Sequence, residues 1–248
     1  EWPDLVVPSE TIPVQAGMNR FAWNLKYDSP VKVPGAFYSG NGPEGPYALP
    51  GNYTAKLTAN GKSYTVPVEL RLDPRVKVST ADLQKQFELS MRVRGDINRL
   101  HEAVNQMREV RAQLKTLEKR FGDSAQAKPI LNSAQELDKK MTPVEGVLIQ
   151  YNMKSSEGNL NWPNMLNESY DSLSHSIEYA DGAPTQQQYA VADALEQQLN
   201  TELAKWQQIV QTDVATLNNT IRQQSLPAIY VGPGMPMADE TKPAAASQ

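Results

Sequence analysis

Cysteine is absent from the 248 residues, so disulfides and thiolate metal sites are excluded. Histidine is nearly absent: His101 and His175 are the two in the chain. His101-Glu102 has no second histidine at helical spacing, so the zinc-binding H-E-x-x-H arrangement fails. No Gly-x-Ser-x-Gly nucleophile elbow occurs. The Gly-rich stretch from Gly40 to Gly51 lacks the Lys-Ser/Thr of a phosphate loop and precedes a predicted strand, which makes it a surface loop. No apolar run approaches the length of a bilayer crossing. Positive charge is not in excess either: a net charge of −4 and a pI near 5.3 argue against nucleic acid as the principal partner. This inventory assigns no catalytic residue, no cofactor-binding residue and no metal ligand.

What the chain does have is two contrasting halves. Gly and Pro crowd the first third and the last stretch, and the middle is nearly free of them. Residues 1–76 read as an all-β, immunoglobulin-like sandwich. Leu5-Val6-Val7 is a short apolar run closed by Pro8, and Phe21, Trp23, Leu25 and Tyr27 alternate along Asn19–Tyr27. Phe21, Trp23 and Tyr53 read as sandwich core. After a loop from Asp28 to Gly51 come two further alternating runs, Tyr53–Thr58 and Tyr64–Leu72. Asn60-Gly61 between them is a hairpin signal, because both residues tolerate positive φ.

Residues 77–224 read as a bundle of long helices. From Thr80 to Phe121 apolar residues fall at steps of three and four, including Leu83, Ile97, Leu100, Val104, Met107, Leu114 and Leu117. Such a helix spans about 60 Å at 1.5 Å per residue. Ser79 with Asp82 suits its N-terminus. A second helix is expected from Ala127 to Ser155 with a kink or break near Met141–Pro143, a third from Pro163 to Tyr179, and a fourth from Gln186 to Gln224. An up-down-up-down bundle of four antiparallel helices is the preferred arrangement. Its rival joins the second and third helices end to end as one interrupted rod of three. In-chain packing is preferred to a dimeric coiled coil. The basic residues Arg92, Arg94, Arg99, Arg108, Arg111, Lys115, Lys119 and Arg120 are interleaved with acids and read as a solvated face. Acid pairs such as Asp96 with Glu102 read as exposed helical ion pairing. Residues 225–248 form a Pro/Ala-rich extended tail, in which Leu226–Val231 could dock on a neighbour.

The strings Gly17-Met18-Asn19-Arg20-Phe21-Ala22-Trp23-Asn24-Leu25 and Pro50-Gly51-Asn52-Tyr53-Thr54 resemble the paired signatures of FlgD-type immunoglobulin-like modules. Continued through Asp73-Pro74-Arg75 into a long helix, the sequence resembles the C-terminal region of bacterial exported sortilin (VPS10)-like, BNR-repeat β-propeller proteins, often labelled glycosyl hydrolase-like. The resemblance covers most of residues 15–222. It implies an exported protein, periplasmic, outer-membrane-associated or extracellular, with a propeller upstream as partner of this region. Glu1 is not an initiator, so the chain is expected to be a fragment or processed piece. In that family any site lies in the propeller, and no site residue is carried over. In a bacterial setting the sequons at Asn52, Asn167 and Asn218 carry no glycan.

The expected function is therefore a non-catalytic scaffold or interaction region. Two alternatives stand beside it. The region could complete the substrate cleft of an upstream hydrolase through residues 28–51 or the tail, or the sandwich could bind carbohydrate through Trp2, Tyr38 or Tyr47.

Overall fold

The computed structural model describes residues 14–36, 38, 42–122, 127–223 and 229–232. The expected strand Leu5-Val6-Val7, Trp2 and most of the tail lie outside them.

The organising element is α1, Thr80–Phe121, a helix of 42 residues. Ser79 Oγ accepts from Asp82 N at 3.1 Å and closes its first turn, a cap contributing about 1 kcal/mol. Leu89, Val93, Ile97, Leu100, Val104, Met107 and Val110 are buried along one stripe, each stabilising the fold by roughly 1.5–3 kcal/mol. Four further helices cover it: α2 Lys128–Leu148, α3 Leu166–Ile177, α4 Gln186–Ile209 and α5 Ala215–Gln223. A π-helical turn, Val210–Val214, joins α4 to α5 without a break.

Side-chain pairings fix how these run. Arg111 meets Asp138 and Arg108 meets Glu145, so α2 descends against α1. His101 meets Asn167, Tyr170 meets Asp96, and Gln86 meets the Ile177 carbonyl, so α3 continues the same descent over the lower half of α1. Arg92 meets Glu196 and Gln106 meets Trp206, so α4 rises parallel to α1. The chain thus forms three rods, up, down and up, with α2 and α3 laid end to end as the middle one. The preferred four-helix arrangement gives way to its rival. Helix α2 also departs from expectation at its end: it runs through Pro143 and stops at Leu148.

Helix accounts for 58% of the chain, and among the described residues there is one sheet, of two antiparallel strands; the immunoglobulin-like, FlgD-like β-sandwich expected for the first domain is not formed. Strand β1, Gly51–Ala59, pairs with β2, Lys62–Leu70, and Asn60 and Gly61 turn at φ +50° and +75°. The expected strand Asn19–Tyr27 fails for a local reason. Asn24 Oδ1 accepts from Lys26 N at 3.0 Å, an Asx turn that throws Leu25 to φ +63° and competes with strand pairing. Beyond the turn this stretch keeps a single bridge, Lys26 with Tyr47. Its aromatics then serve different partners. Trp23 meets Tyr53 edge-on at 5.6 Å, while Tyr27 packs on Phe87 of α1 at 5.3 Å. Phe21 and Trp23 remain substantially exposed rather than forming core.

Candidate functional site

Beside its apolar stripe, α1 carries a row of polar side chains at Arg94, Asn98, His101, Asn105 and Arg108. Steps of four and three place them on one face. All five engage the main chain of residues 28–34. Arg94 Nε donates to Asp28 O at 2.7 Å, and Val31 N donates to Asn98 Oδ1 at 2.9 Å. His101 Nδ1 lies 2.5 Å from Val31 O, Asn105 Nδ2 donates to Lys32 O at 3.0 Å, and Arg108 Nη1 donates to Pro34 O at 2.8 Å. Residues 28–34 belong to no strand, so their peptide groups need such partners. Val33 anchors the segment apolarly, 5% exposed in the core.

A second row grips the other end of the chain. Gln113 accepts from Tyr230 N at 2.8 Å and donates to Tyr230 O at 2.6 Å, the pair of bonds a neighbouring strand would supply. Gln106 Nε2 donates to Gly232 O at 3.0 Å, and Asn218 of α5 brackets Ile229 through its N–H and carbonyl. Residues 229–232 thus dock on α1 and α5.

His101 sits at the centre of the first row and is 1% exposed. Val31 O beside Nδ1 and Asn167 Oδ1 beside Nε2 are both acceptors, and a neutral imidazole has one N–H to share between these two sides. Burial pulls the pKa below the usual imidazole value against the opposing influence of Asn167 and Val31, and the ring is neutral at pH 7. Tyr38 Oη lies 3.2 Å from Nε2. Burial in turn pushes the Tyr38 phenol up to about 12. Asn167 Oδ1 lies 2.7 Å from Nε2, and its amide nitrogen donates to Glu168 Oε1 at 3.0 Å. One turn and a half down α1, Asp96 accepts from Tyr170 Oη at 3.2 Å and pairs with Arg99 at 3.0 Å. Burial raises the Asp96 pKa. Acids and a histidine do converge here, and their polar atoms hold one another and the backbone.

The basic face is only partly solvated. Arg94 is 9% exposed, and Arg108 and Arg111 converge on Glu145, itself buried, at 2.9 and 2.5 Å. Their charges bind α2 to α1. Asp96 likewise leaves the exposed face on which it was expected. His175, by contrast, is largely exposed and bonds through Nδ1 to Asp171 O, one turn back.

Of the candidate carbohydrate-binding rings, Tyr38 is half-buried against His101, and Tyr47 is exposed with the Lys26 ammonium 4.4 Å over its face. Trp2 lies outside the described residues. Among the described residues no group of three or more potential metal ligands forms.

The sequence reading missed the two gripping rows. Their signal is the seven-residue spacing of Arg94, His101 and Arg108, of Asn98 and Asn105, and of Gln106 and Gln113. Amides recurring at that interval on one helical face are poorly placed for ion pairing, and they suit extended chain laid along the helix.

No helix among the described residues is long and apolar enough to cross a membrane. No family model, no curated protein and no solved structure matches the chain.

Proposed function

We propose that this chain is a non-catalytic scaffold, the accessory region of an exported bacterial protein in which it follows a β-propeller. Its working part is α1, which holds polypeptide from outside the bundle in fixed extended paths. One observation carries the reading: the α1 side chains with chemical capacity, His101 foremost, are committed to main-chain groups of residues 28–34 and to the α3 interface. A scaffold needs such fixed attachment, whereas a catalyst needs a polar group turned toward a substrate. The propeller and the export rest on the sequence signatures alone. The segment Asp28–Pro34, the first part of the loop that would line an upstream cleft, is tied along α1 instead.

The test is turnover. The chain is incubated with glycan and peptide substrates, and no saturable hydrolysis is expected. Saturable activity abolished by His101→Ala, with helicity retained, would overturn the proposal.

A further inference from the structure

The β1–β2 hairpin has two faces of opposite character. Its register pairs Tyr53 with Val68, Ala55 with Val66 and Leu57 with Tyr64, so these six side chains stand on one face. Asn52, Thr54 and Lys56, paired with Glu69, Pro67 and Thr65, stand on the other. Such alternation belongs to a sheet with one side covered. Here the apolar side is open: Leu57, Tyr64, Val66 and Val68 are 39–60% exposed. Trp23, edge-on to Tyr53, lengthens the patch at the foot of the hairpin and is itself 38% exposed. Val14 and Met18, which precede it, stand in solvent rather than on the face.

The edges, the charge and the area together define what fits this face. With Asn60-Gly61 as a two-residue turn, Ala59 and Lys62 close the ladder, and hydrogen-bonded pairs recur at every second residue. Pro67, opposite Thr54, therefore falls where a main-chain donor would point outward, and Lys56 stands on the outer edge of β1. Proline and lysine so placed keep a sheet edge from adding strands, which leaves contact face to face. The face carries one charge, Lys62 at its tip opposite Ala59. A two-fold axis through the middle of the face sets two hairpins antiparallel, tip over foot. The two ammonium groups then lie at opposite ends, and each approaches the partner's Trp23, a ring that favours a cation. The open side chains present on the order of 500 Å² per copy. Two copies thus bury about 1,000 Å², the least that a specific interface needs. A lone two-stranded hairpin is marginal in water, and a second layer is what it lacks.

We propose that this face is a homodimer interface, in which two copies of the chain pack their hairpins face to face about a two-fold axis. An area at the lower bound gives a reversible dimer, with Kd on the order of 10 µM.

The experiment is sedimentation equilibrium of the whole chain between about 2 and 200 µM. The average mass is expected to climb from 27.5 kDa toward twice that value. Val66→Lys sets a charge in the middle of the face and should weaken association at least tenfold. Thr65→Lys, its neighbour on the opposite face, should leave association unchanged. Both positions are exposed in the single chain, so each variant is expected to keep the helicity of the parent. In ¹⁵N-labelled protein, amide shifts that change with concentration should be confined to β1, β2 and Trp23, which locates the contact without any substitution. A monomer at the highest concentration overturns the proposal, and hairpin amides that then move on deletion of residues 1–13 would assign the face to that segment. Equal weakening by the two variants, no weakening by Val66→Lys, or concentration-dependent shifts confined to the helices overturns it as well.

Discussion

His101 illustrates how much one side chain is asked to do when every direction around it is filled. Its two ring nitrogens face a backbone carbonyl, a phenol and an amide, and the ring has almost no contact with water. The folded state therefore resists protonating it, and the pKa lies below the ordinary value of about 6.5. The sign of the consequence follows from linkage. Below pH ~6.5 the unfolded chain takes up a proton that the folded chain refuses, so the stability His101 contributes at neutral pH is lost as pH falls toward the folded value. The rate is about 1.4 kcal/mol per pH unit while the two states differ by one proton. Asp96, Asp171 and Glu178 act in the opposite sense. Burial raises their pKa values, so their contribution is largest in acid and declines as pH rises through the raised values. Replacing the histidine separates the two trends. His101→Gln can donate to Val31 O but has no proton to gain, so its deficit in Tm against the parent should narrow between pH 7.5 and pH 5. A deficit constant across that range rejects the account.

Helix α2 makes a comparable test at the level of an element. Pro143 lies inside it, exposed, where the pyrrolidine ring removes one main-chain donor. Thr142 Oγ1 donates to Asp138 O at 2.9 Å nearby, and Val144, Glu145 and Leu148 beyond the proline are buried. Packing on α1 thus carries the helix past a residue that sequence logic reads as a break. Pro143→Ala should restore the missing donor and raise stability by on the order of 1–3 kcal/mol, seen as a higher denaturant midpoint. An unchanged or lower midpoint shows that the proline is matched to its surroundings. The same balance explains which elements were legible in the sequence. The α1 stripe repeats over 42 residues and is capped by Ser79, so local and tertiary signals agree. Asn60-Gly61 fixes its hairpin by backbone conformation alone. Asn19–Tyr27 has the right alternation, yet Asn24 forms an Asx turn that no count of apolar residues registers. The choice between three rods and four depended on the path of residues 149–165, which no periodicity encodes.

At the scale of the whole molecule, the bundle and the segments at its two ends form one body through side-chain-to-backbone hydrogen bonds on α1. This was the part least legible beforehand, because Asn98, Asn105, Gln106 and Gln113 read as ordinary polar surface, and a residue's partner 67 or 117 positions away leaves no local trace. The attachment of residues 28–34 has little apolar area beyond Val33, so its stability rests on those bonds. Each is worth about 1 kcal/mol, and together they exceed what fraying of an extended segment opposes. Asn98→Ala with Asn105→Ala removes two of the five contacts and leaves the buried stripe of α1 untouched. Hydrogen exchange at Val31, Lys32 and Val33 should then quicken by about tenfold or more, while amides at Ile97, Leu100 and Val104 keep the protection of the parent. Exchange that rises equally in both sets would mean that the segment and the bundle open as one unit, and that the amide row does not hold the segment independently. Unchanged exchange at Val31–Val33 would assign the attachment to Arg94, His101 and Arg108 alone.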